Sequence, residues 1–409
     1  MRKKILNSSR YDVIVVGGGL SGLTATVALS KCGLSVVLVD RDPAEKVRCA
    51  DRDGRTTAIA AAGRAMLDAL GVWSALANQA EPILDIRVSD GHSPYYLHYD
   101  HREVGEQPMG HIIENAHLKR VLMDTVEITP LVERRNGSEI EILEVGTGDV
   151  SVVLRDGARL TGCLLVGADG RASQVRNLAG IRATRLDYGQ SSMVFTVAHE
   201  HPHRGVAHEC FLPGGPLAFL PMCGDRSSVV WTEQTEVAKA FFELNDNDLA
   251  DALSHRFSDI LGVLSIEGRR WLYPLSLVHA EKQTAPRLAL VGDAAHGIHP
   301  VAGQGFNLSL RDIAALAEEA VAAVRLGIDI GGPEVLRRYQ TQRRFDTMTL
   351  VLATDAINRL FSNDIGPLRL LRSAGLAMVD RIPPLKQAFM RNAMGLMGDL
   401  PSMLRGHLP

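Results

Sequence analysis

The chain has 409 residues, of which 46% are hydrophobic and 22% are charged, and its formal net charge is −3. These values predict two or three globular domains, and the slight acidity argues against a nucleic-acid binder. Five scattered cysteines with no C-x-x-C pair argue against a disulfide framework, a zinc knuckle and a dithiol centre. No run of eighteen apolar residues occurs and Met1–Arg10 lacks a signal-peptide core, so we expect a cytoplasmic protein.

A βαβ unit is predicted at the start of the chain. Tyr11–Gly18 is a continuous, β-branched stretch that ends in glycines, and Leu34–Asp40 has the same character. Between them, Leu20–Cys32 has helical spacing of Ala and Leu and is stopped by a glycine. This order indicates a parallel sheet with helices on its faces. Another helical stretch is predicted from about Thr57 to Leu76.

The middle of the chain is richer in short alternating strands, which predicts a mixed or antiparallel sheet. Leu160–Ala168 and Arg287–Gly292 are instead continuous and apolar, so we expect them to return to the first sheet. The predicted fold is therefore α/β, with a Rossmann-like nucleotide-binding domain, an inserted strand-rich substrate domain and a helical C-terminal region. The predicted boundaries are residues 1–80, 105–185 and 285–345 for the first domain, 81–104 and 186–284 for the second, and 346–409 for the helical segment.

A dinucleotide fingerprint lies between the first strand and the first helix. Gly17, Gly19 and Gly22 form a G-x-G-x-x-G pattern, and Asp40 ends the second strand. The glycines permit a tight turn, a close approach to a pyrophosphate and close packing of helix on strand. The helix N-terminus attracts phosphate, and the acid can accept hydrogen bonds from a ribose. FAD and NAD share this pattern, so it predicts a dinucleotide without choosing between them.

A second motif favours FAD. Leu288–Asp293 is predicted as a strand that ends in an acid, which suits the hydroxyls of a ribityl chain. Gly303 and Gly305 would let the backbone lie close to a flat ring, and a helix is predicted to begin near Asn307. The positive end of that helix dipole would favour a negatively charged reduced flavin. Asp169-Gly170, after another strand, is a weaker signal because Asp-Gly is common in turns.

Through these motifs the sequence closely resembles the class of single-component FAD aromatic hydroxylases. The resemblance implies that the first motif binds ADP, that Asp169 lies near both FAD and the nicotinamide, and that Asp293 binds ribose or ribityl hydroxyls. It also implies that Arg55 and Asn115 reach the cofactor. The residues predicted to bind the cofactor are Gly17, Gly19, Leu20, Ser21, Gly22, Asp40, Arg41, Arg55, Asn115, Asp169, Gly292, Asp293, Pro300, Gly303, Gln304, Gly305, Phe306 and Asn307.

Within that class the sequence is most similar to the ubiquinone-biosynthesis hydroxylases. The similarity lies in residues 214–221, 228–232, 273–280, 299–307 and 390–398. It implies that NAD(P)H reduces FAD, that the reduced flavin captures O2 as a hydroperoxide, and that oxygen passes to the ring of a polyprenylated phenol. Three alternatives stay open: hydroxylation of a small soluble aromatic, reduction of prenyl chains, and a non-catalytic flavoprotein subunit. With no second G-x-G-x-x-G pattern, we expect NAD(P)H to dock transiently.

The group that activates the substrate is not defined by the sequence. His299 and Pro300 are the predicted catalytic residues because they adjoin the loop that contains Gly303 and Gly305. His296 is a further candidate. Structural roles for the two histidines are also consistent with the pattern. The cluster His199-Glu200-His201-Pro202-His203 has alternate spacing that suits a metal. Its Pro and the nearby Gly205 favour a solvated hairpin tip, so we expect no metal.

The C-terminal segment is basic and amphipathic. From Val351 to Pro409 there are seven Arg or Lys, four Asp and no Glu. One helical face is apolar and contains Met, whereas Lys386 and Arg391 lie elsewhere. Such a helix can pack on the rest of the protein, dock a partner or lie on a membrane surface. The apolar face is formed by Leu385, Phe389, Ala393, Leu396 and Met397.

Overall fold

The computed structural model describes residues 10–43, 54–91, 96–257, 259–299, 303–361, 375 and 378–409, with side chains except at 259, 350–359 and 361. Pro300, a predicted site residue, lies outside the described residues. The helices are α1 (Leu20–Lys31), α2 (Ala61–Ala69), α3 (Trp73–Leu76), α4 (Asn115–Ile128), α5 (Gln174–Leu178), α6 (Thr235–Phe242), α7 (Asp246–Ser254), α8 (Gly305–Arg325), α9 (Pro333–Phe361) and α10 (Pro383–Ala393).

The described strands form three sheets. They are β1 (Arg10–Val16), β2 (Val36–Asp40), β3 (Thr56–Ala60), β4 (Glu81–Ile83), β5 (Asp85–Asp90), β6 (Tyr96–Asp100), β7 (Gly110–Glu114), β8 (Val132–Asn136), β9 (Ile140–Val145), β10 (Val150–Leu154), β11 (Arg159–Gly167), β12 (Ala183–His199), β13 (Val206–Leu212), β14 (Gly215–Met222), β15 (Arg226–Gln234), β16 (Leu264–Ala280), β17 (Thr284–Ala285), β18 (Leu288–Leu290) and β19 (His296–Gly297).

The first sheet carries the predicted βαβ unit. Its order is β17-β18-β11-β1-β2-β8, and the β9–β10 hairpin joins it through β11. β1 is parallel to β11 and to β2, with Val13 opposite both Leu164 and Val36. Apolar cores cover both faces of β1, which explains its continuous β-branched sequence. β11 and β18 lie in this sheet, which confirms the two predicted returns of the chain.

The second sheet is mostly antiparallel and has the order β19-β16-β12-β15-β14-β13-β5-β6. Its two longest strands, β12 and β16, pair from residues 183 to 199 and 264 to 280 with two register shifts. β13 and β5 form its parallel pair. Helices α6 and α7 pack on one face, where Phe195 and Trp231 contribute to an apolar core. The opposite face is thereby left to line a cleft.

The third sheet has three strands, β3-β7-β4. β3 corrects the prediction of a helix that begins near Thr57, because the helix begins only at Ala61. Thr56–Ala60 pairs antiparallel with Gly110–Glu114, about fifty residues further along the chain. The local spacing of Ala and Thr in this segment is compatible with a helix. The segment forms a strand instead, because it pairs with a distant strand and its β-branched residues favour that conformation.

The packed core lies mainly between the first sheet and α1, α4, α8 and α9. A separate cluster joins the third sheet, the second sheet and α10 through Met222, Met390 and Met394. Because the second sheet takes strands from residues 85–100 and 183–280, it matches the strand-rich part of the chain; the domain boundaries themselves stay a prediction. Among the described residues, no helix combines the length and the apolar composition that crossing a bilayer requires.

Candidate functional site

The glycine turn after β1 is shaped by close backbone contacts. Gly17 has a φ of +113°, and a Cβ there would lie 2.4 Å from the Ala168 carbonyl oxygen. A Cβ on Gly22 would lie 1.8 Å from the Gly17 carbonyl oxygen. Gly19 differs, since a Cβ there would meet nothing within 4 Å. Two glycines are thus required by the packing of strand and helix, and the third faces open space at the start of α1, beside Leu20 and Ser21.

Asp40 ends β2 beside this turn. Its side chain is mostly buried and lies against Gly18, where an added Cβ would be 1.9 Å from the Asp40 carboxylate. The backbone N–H of Asp42 donates to Asp40 Oδ1 at 3.3 Å. Asp40 and the exposed Arg41 both line the cleft. The carboxylate is therefore held at the position where the fingerprint predicts a ribose.

The turn after β18 brings the second motif to the same cleft. Gly292 has a φ of +60°, and a Cβ there would lie 2.7 Å from the hydroxyl oxygens of both Ser21 and Ser309. Its backbone N–H donates to Asp312 Oδ2 at 3.0 Å. The turn is thus wedged between α1 and α8, a junction that admits only glycine. Asp293 follows it and lines the cleft.

Arg171 is a residue of this site that the sequence predictions missed. Its Nε donates to Asp293 Oδ2 at 3.2 Å, and its two terminal nitrogens donate to the carbonyl oxygens of Ser276 and Ile298, each at 2.9 Å. Arg171 therefore ties the Asp293 turn to β16 of the second sheet. Its position directly after Asp169-Gly170 is the signal that could have indicated it.

Asp169 lines the cleft, but its carboxylate is used by the protein. It accepts hydrogen bonds from the Ser173 hydroxyl at 2.5 Å and from the backbone N–H groups of Gln174 and Val175. These contacts stabilise the N-terminus of α5. The buried Arg176 donates to the carbonyl oxygens of Ala294 and Arg171. Asp169 thus fixes the start of α5, and Arg176 of α5 bonds Ala294 in the turn that contains Asp293.

The N-terminus of α8 faces the cleft through residues 303–306. The helix begins at Gly305, two residues before the predicted start. Asn307 braces it: its Oδ1 accepts from the backbone N–H of Ala60 at 2.9 Å, and its Nδ2 donates to the Ala58 carbonyl oxygen at 2.7 Å. This side chain, which was predicted to contact the cofactor, therefore joins α8 to β3 as well.

Arg55 and Asn115 approach the cleft from the third sheet and α4. Arg55 is exposed, and its guanidinium lies 5.2 Å from the centre of the Tyr273 ring on the second sheet. Asn115 Oδ1 accepts from the Thr57 hydroxyl at 2.5 Å. The structure thus brings both predicted residues to the same cleft as the glycine turn.

The two candidate histidines differ in their surroundings. His299 lines the cleft, and its fully buried ring packs edge-on against Tyr188 with centroids 5.0 Å apart. His296 does not line the cleft; its Nε2 lies 2.5 Å from Asp312 Oδ2, and both side chains are fully buried. The geometry favours a structural role for His296, and a catalytic role for His299 stays a prediction.

The histidine cluster near residue 200 is exposed at Glu200, His201 and Pro202, as a solvated tip requires, but two of its histidines are not. His199 and His203 are both buried, and their rings pack edge-on with centroids 5.6 Å apart. His199 Nδ1 contacts the His201 carbonyl oxygen at 2.8 Å, and His203 Nε2 contacts that of Met222 at 2.8 Å. The imidazoles therefore hydrogen-bond the backbone of the turn.

Apart from His296 and the histidine cluster near residue 200, the groups described above lie around one large cleft of about 1960 Å³. Its lining includes the glycine turn, Asp40 and Asp293, and also the apolar face of β5, β6, β13 and β14. Within that face Glu209 carries a carboxyl group that the sequence predictions missed. Burial raises its pKa to about 7. No sequence motif marks Glu209, because it is a single acid in an otherwise ordinary strand.

The residues of the cleft fit FAD. Open space in front of Gly19 and Gly305 leaves the first turns of α1 and α8 accessible to a phosphate and to a ring. Asp40 and Asp293 provide acceptors for hydroxyl groups at separate positions in the cleft. When bound, the flavin would supply the redox chemistry with O2, while the protein would orient the substrate and exclude water.

The comparisons with known proteins define the class. Residues 10–353 match the sequence profile of the family described as FAD binding domain, so the chain belongs to that family. The protein is an FAD-dependent monooxygenase. Its fold is shared with p-nitrophenol 4-monooxygenase PnpA of Pseudomonas putida, at a TM-score of 0.78 and 20% identity over 95% of this chain and 99% of that one.

Closer relatives are found by sequence. Ubiquinone hydroxylase UbiL of Rhodospirillum rubrum is 46% identical over 97% of this chain and 92% of its own length. The 3-demethoxyubiquinol 3-hydroxylase of Escherichia coli is 33% identical over 94% of this chain and 98% of its own length. Human ubiquinone biosynthesis monooxygenase COQ6 is 30% identical, with 93% and 92% covered.

Proposed function

We propose that the protein hydroxylates the aromatic ring of a polyprenylated phenol in ubiquinone biosynthesis, using NAD(P)H and O2. The names of the three sequence relatives support this substrate class. The structural observation that carries the proposal is the lining of the cleft. The predicted flavin-binding residues and an apolar sheet face line the same cleft, whose volume is about 1960 Å³.

The mouth of the cleft is surrounded by exposed apolar side chains, which suits a substrate that partitions into lipid. Phe345 on α9 is 78% exposed and Phe389 on α10 is 46% exposed, and both line the cleft. Met397, which follows α10 in the chain, is also exposed and also lines the cleft. The basic residues Arg344 and Arg391 are exposed nearby in the sequence. We infer that this apolar rim contacts a membrane surface, from which a prenylated phenol would enter.

The predicted FAD residues take the following roles in this proposal. Gly17 and Gly22 would shape the turn that receives the pyrophosphate at Gly19, and Asp40 would bind the adenosine ribose. Asp293, held by Arg171, would bind the ribityl chain. Residues 303–306 at the start of α8 would lie beside the ring, where the helix dipole favours negative charge. NAD(P)H would dock transiently on the outer side of the cleft.

The test is hydroxylation by the purified, FAD-loaded protein. We expect that a phenol with a short prenyl chain stimulates NAD(P)H oxidation, and that ¹⁸O from ¹⁸O2 appears in the ring of the product. Label in a non-prenylated phenol at an equal kcat/KM would favour a small soluble substrate. A reduced prenyl chain with no label would favour a reductase. Failure to bind FAD would contradict the proposal as a whole.

A further inference from the structure

Glu209 lies in the middle of the sheet face that borders the cleft. On β13, its neighbours at alternate positions are Ala207 and Phe211, which also line the cleft. Across the sheet it pairs with Ala218 of β14 on one side and with Val88 of β5 on the other. All four neighbours are apolar. Among the described residues of this sheet that line the cleft, Glu209 has the only carboxyl group.

No described residue forms a hydrogen bond or ion pair with the Glu209 carboxyl group. The side chain is half-buried: it faces the space of the cleft, and its neighbours in the sheet are apolar. A substrate that fills the cleft would displace the water around the carboxyl group, and burying a carboxyl group without a partner costs free energy. A polar group of the bound substrate would supply the missing partner.

The other ionisable groups around this face do not neutralise Glu209. On β5, Arg87 pairs with His208 and so lies on the opposite face of the sheet. β14 carries no ionisable side chain. On β6, Tyr99 lines the cleft, and burial with the nearby Asp380 raises its pKa to about 12, so it stays neutral. Arg55 also lines the cleft, and its guanidinium lies over the Tyr273 ring.

We propose that Glu209 binds the phenolic hydroxyl of the substrate and takes up its proton during ring hydroxylation, an inference that rests on the proposed function. The phenolic O–H bond breaks, a carboxylic O–H bond forms, and the electron pair stays on the phenolic oxygen. That charge raises the electron density of the ring carbon that receives oxygen. NAD(P)H supplies two electrons and O2 supplies both the inserted oxygen and the oxygen released as water.

The proton then returns. The oxygenated ring carbon loses its hydrogen as a proton when aromaticity is restored, and the phenolic oxygen regains a proton from Glu209, which ends in its starting state. An ordinary glutamic acid is too weak a base for a phenol, whose pKa is about 10. Burial raises the pKa of Glu209 to about 7, which brings it near the working pH of a general base.

The experiment compares the wild-type, FAD-loaded protein with Glu209→Gln, which keeps the shape and removes the titration. We expect substrate-free reduction of FAD by NAD(P)H to be unchanged, whereas kcat for hydroxylation falls about 10²-fold or more. More NAD(P)H is then diverted to H2O2. In the wild-type protein kcat should rise with pH through about 7 as Glu209 loses its proton, and this rise should be absent in the variant.

The matched control is Glu233→Gln. Glu233 is a buried carboxyl on β15 of the same sheet, but it does not line the cleft and accepts a hydrogen bond from Trp231. The control should keep the wild-type pH profile. An unchanged rate and pH profile in Glu209→Gln would overturn the inference, as would equal changes in both variants.

Binding provides a separate readout. The wild-type protein should bind a short-chain prenylphenol about tenfold or more tightly than its O-methyl ether above pH 7. Glu209→Gln should weaken this preference several-fold, because a neutral amide oxygen accepts a weaker hydrogen bond than a carboxylate. Equal affinities in the wild-type protein would contradict the role of Glu209. A preserved preference together with no ¹⁸O in any product would instead contradict the proposed function.

Discussion

At the scale of single residues, the three fingerprint glycines have different physical reasons. Gly17 and Gly22 are fixed by the protein, because a Cβ on either would collide with backbone oxygens at 2.4 and 1.8 Å. Gly19 is free of such contacts within 4 Å. Its lack of a side chain is therefore explained by a ligand that comes close to the backbone and not by the packing of the polypeptide.

This difference predicts opposite effects of two substitutions. Gly22→Ala should destabilise the FAD-free protein by about 1–3 kcal/mol, because the methyl group forces strand and helix apart. Gly19→Ala should leave the stability of the FAD-free protein near wild type but weaken FAD binding. Urea unfolding of the stripped protein and FAD titration by fluorescence measure the two quantities. Unchanged FAD affinity in Gly19→Ala would place the pyrophosphate elsewhere.

At the scale of elements, a buried charge network holds the Gly292–His296 turn on two helices. Asp312 of α8 accepts hydrogen bonds from the Gly292 N–H, from His296 Nε2 and, at 2.8 Å, from Arg343 Nε of α9. Burial alone would raise the pKa of Asp312, but the charges of His296 and Arg343 and their hydrogen bonds outweigh it, so the pKa is lowered. Contacts with α8 and α9 thus hold the Gly292–His296 turn in place.

Asp312→Asn is expected to reduce the free energy of unfolding at pH 7 by about 1–3 kcal/mol, because it removes the buried carboxylate that Arg343 Nε and His296 Nε2 contact and leaves Asp346 as the carboxylate partner of Arg343. Folding lowers the pKa of Asp312, so the stability that its carboxylate provides is fully present above the unfolded pKa of about 3.9. This stability is lost as the pH falls through the lower pKa of the folded protein. Urea unfolding between pH 7 and pH 3 should therefore show a weaker acid dependence in the variant.

The surface ion pair of Glu334 provides the control for that measurement. Its carboxylate is bonded to Arg337 and Arg338 at the exposed start of α9. Pairs of this kind contribute little to stability. Glu334→Gln should therefore leave the unfolding midpoint at pH 7 unchanged. A loss equal to that of Asp312→Asn would show that burial is not the cause.

At the scale of the whole molecule, one cleft connects the first sheet, the third sheet and the second sheet, and it opens beside α9 and α10. α10 packs inward through Met390 and through Lys386, whose Nζ bonds Glu103 at 2.7 Å, while Phe389 stays exposed. The amphipathic C-terminal segment therefore packs on the protein with one face and borders the mouth of the cleft with the other.

The proposed membrane contact predicts that Phe345→Asp/Phe389→Asp loses at least about tenfold in affinity for vesicles of phosphatidylethanolamine and phosphatidylglycerol, since burial of each ring would contribute about 1.5–3 kcal/mol. Co-sedimentation measures this affinity. The matched control is Ile128→Asp, which changes an equally exposed apolar residue, 81% exposed, away from the cleft. Equal vesicle binding by the wild-type protein and the double variant would contradict the contact.

The βαβ unit, the two flavin motifs and the strand-rich middle could be predicted from the sequence, because they depend on local patterns. Each such pattern can be recognised within a short stretch of sequence: a continuous β-branched strand, glycines at a fixed spacing, or an acid at the end of a strand. The pairing of Thr56–Ala60 with β7 was not readable from the sequence, since it depends on a partner about fifty residues away. Local spacing therefore indicated a helix where a strand lies.

The use of single polar residues depends on how the chain is packed. Packing makes Asn307 a brace between α8 and β3, and it joins Arg171 to Asp293 across 122 positions of sequence. It also places Glu209 alone in an apolar wall, where burial raises its pKa. Burial and the identity of a partner are properties of the packed molecule, because they depend on which distant surfaces meet.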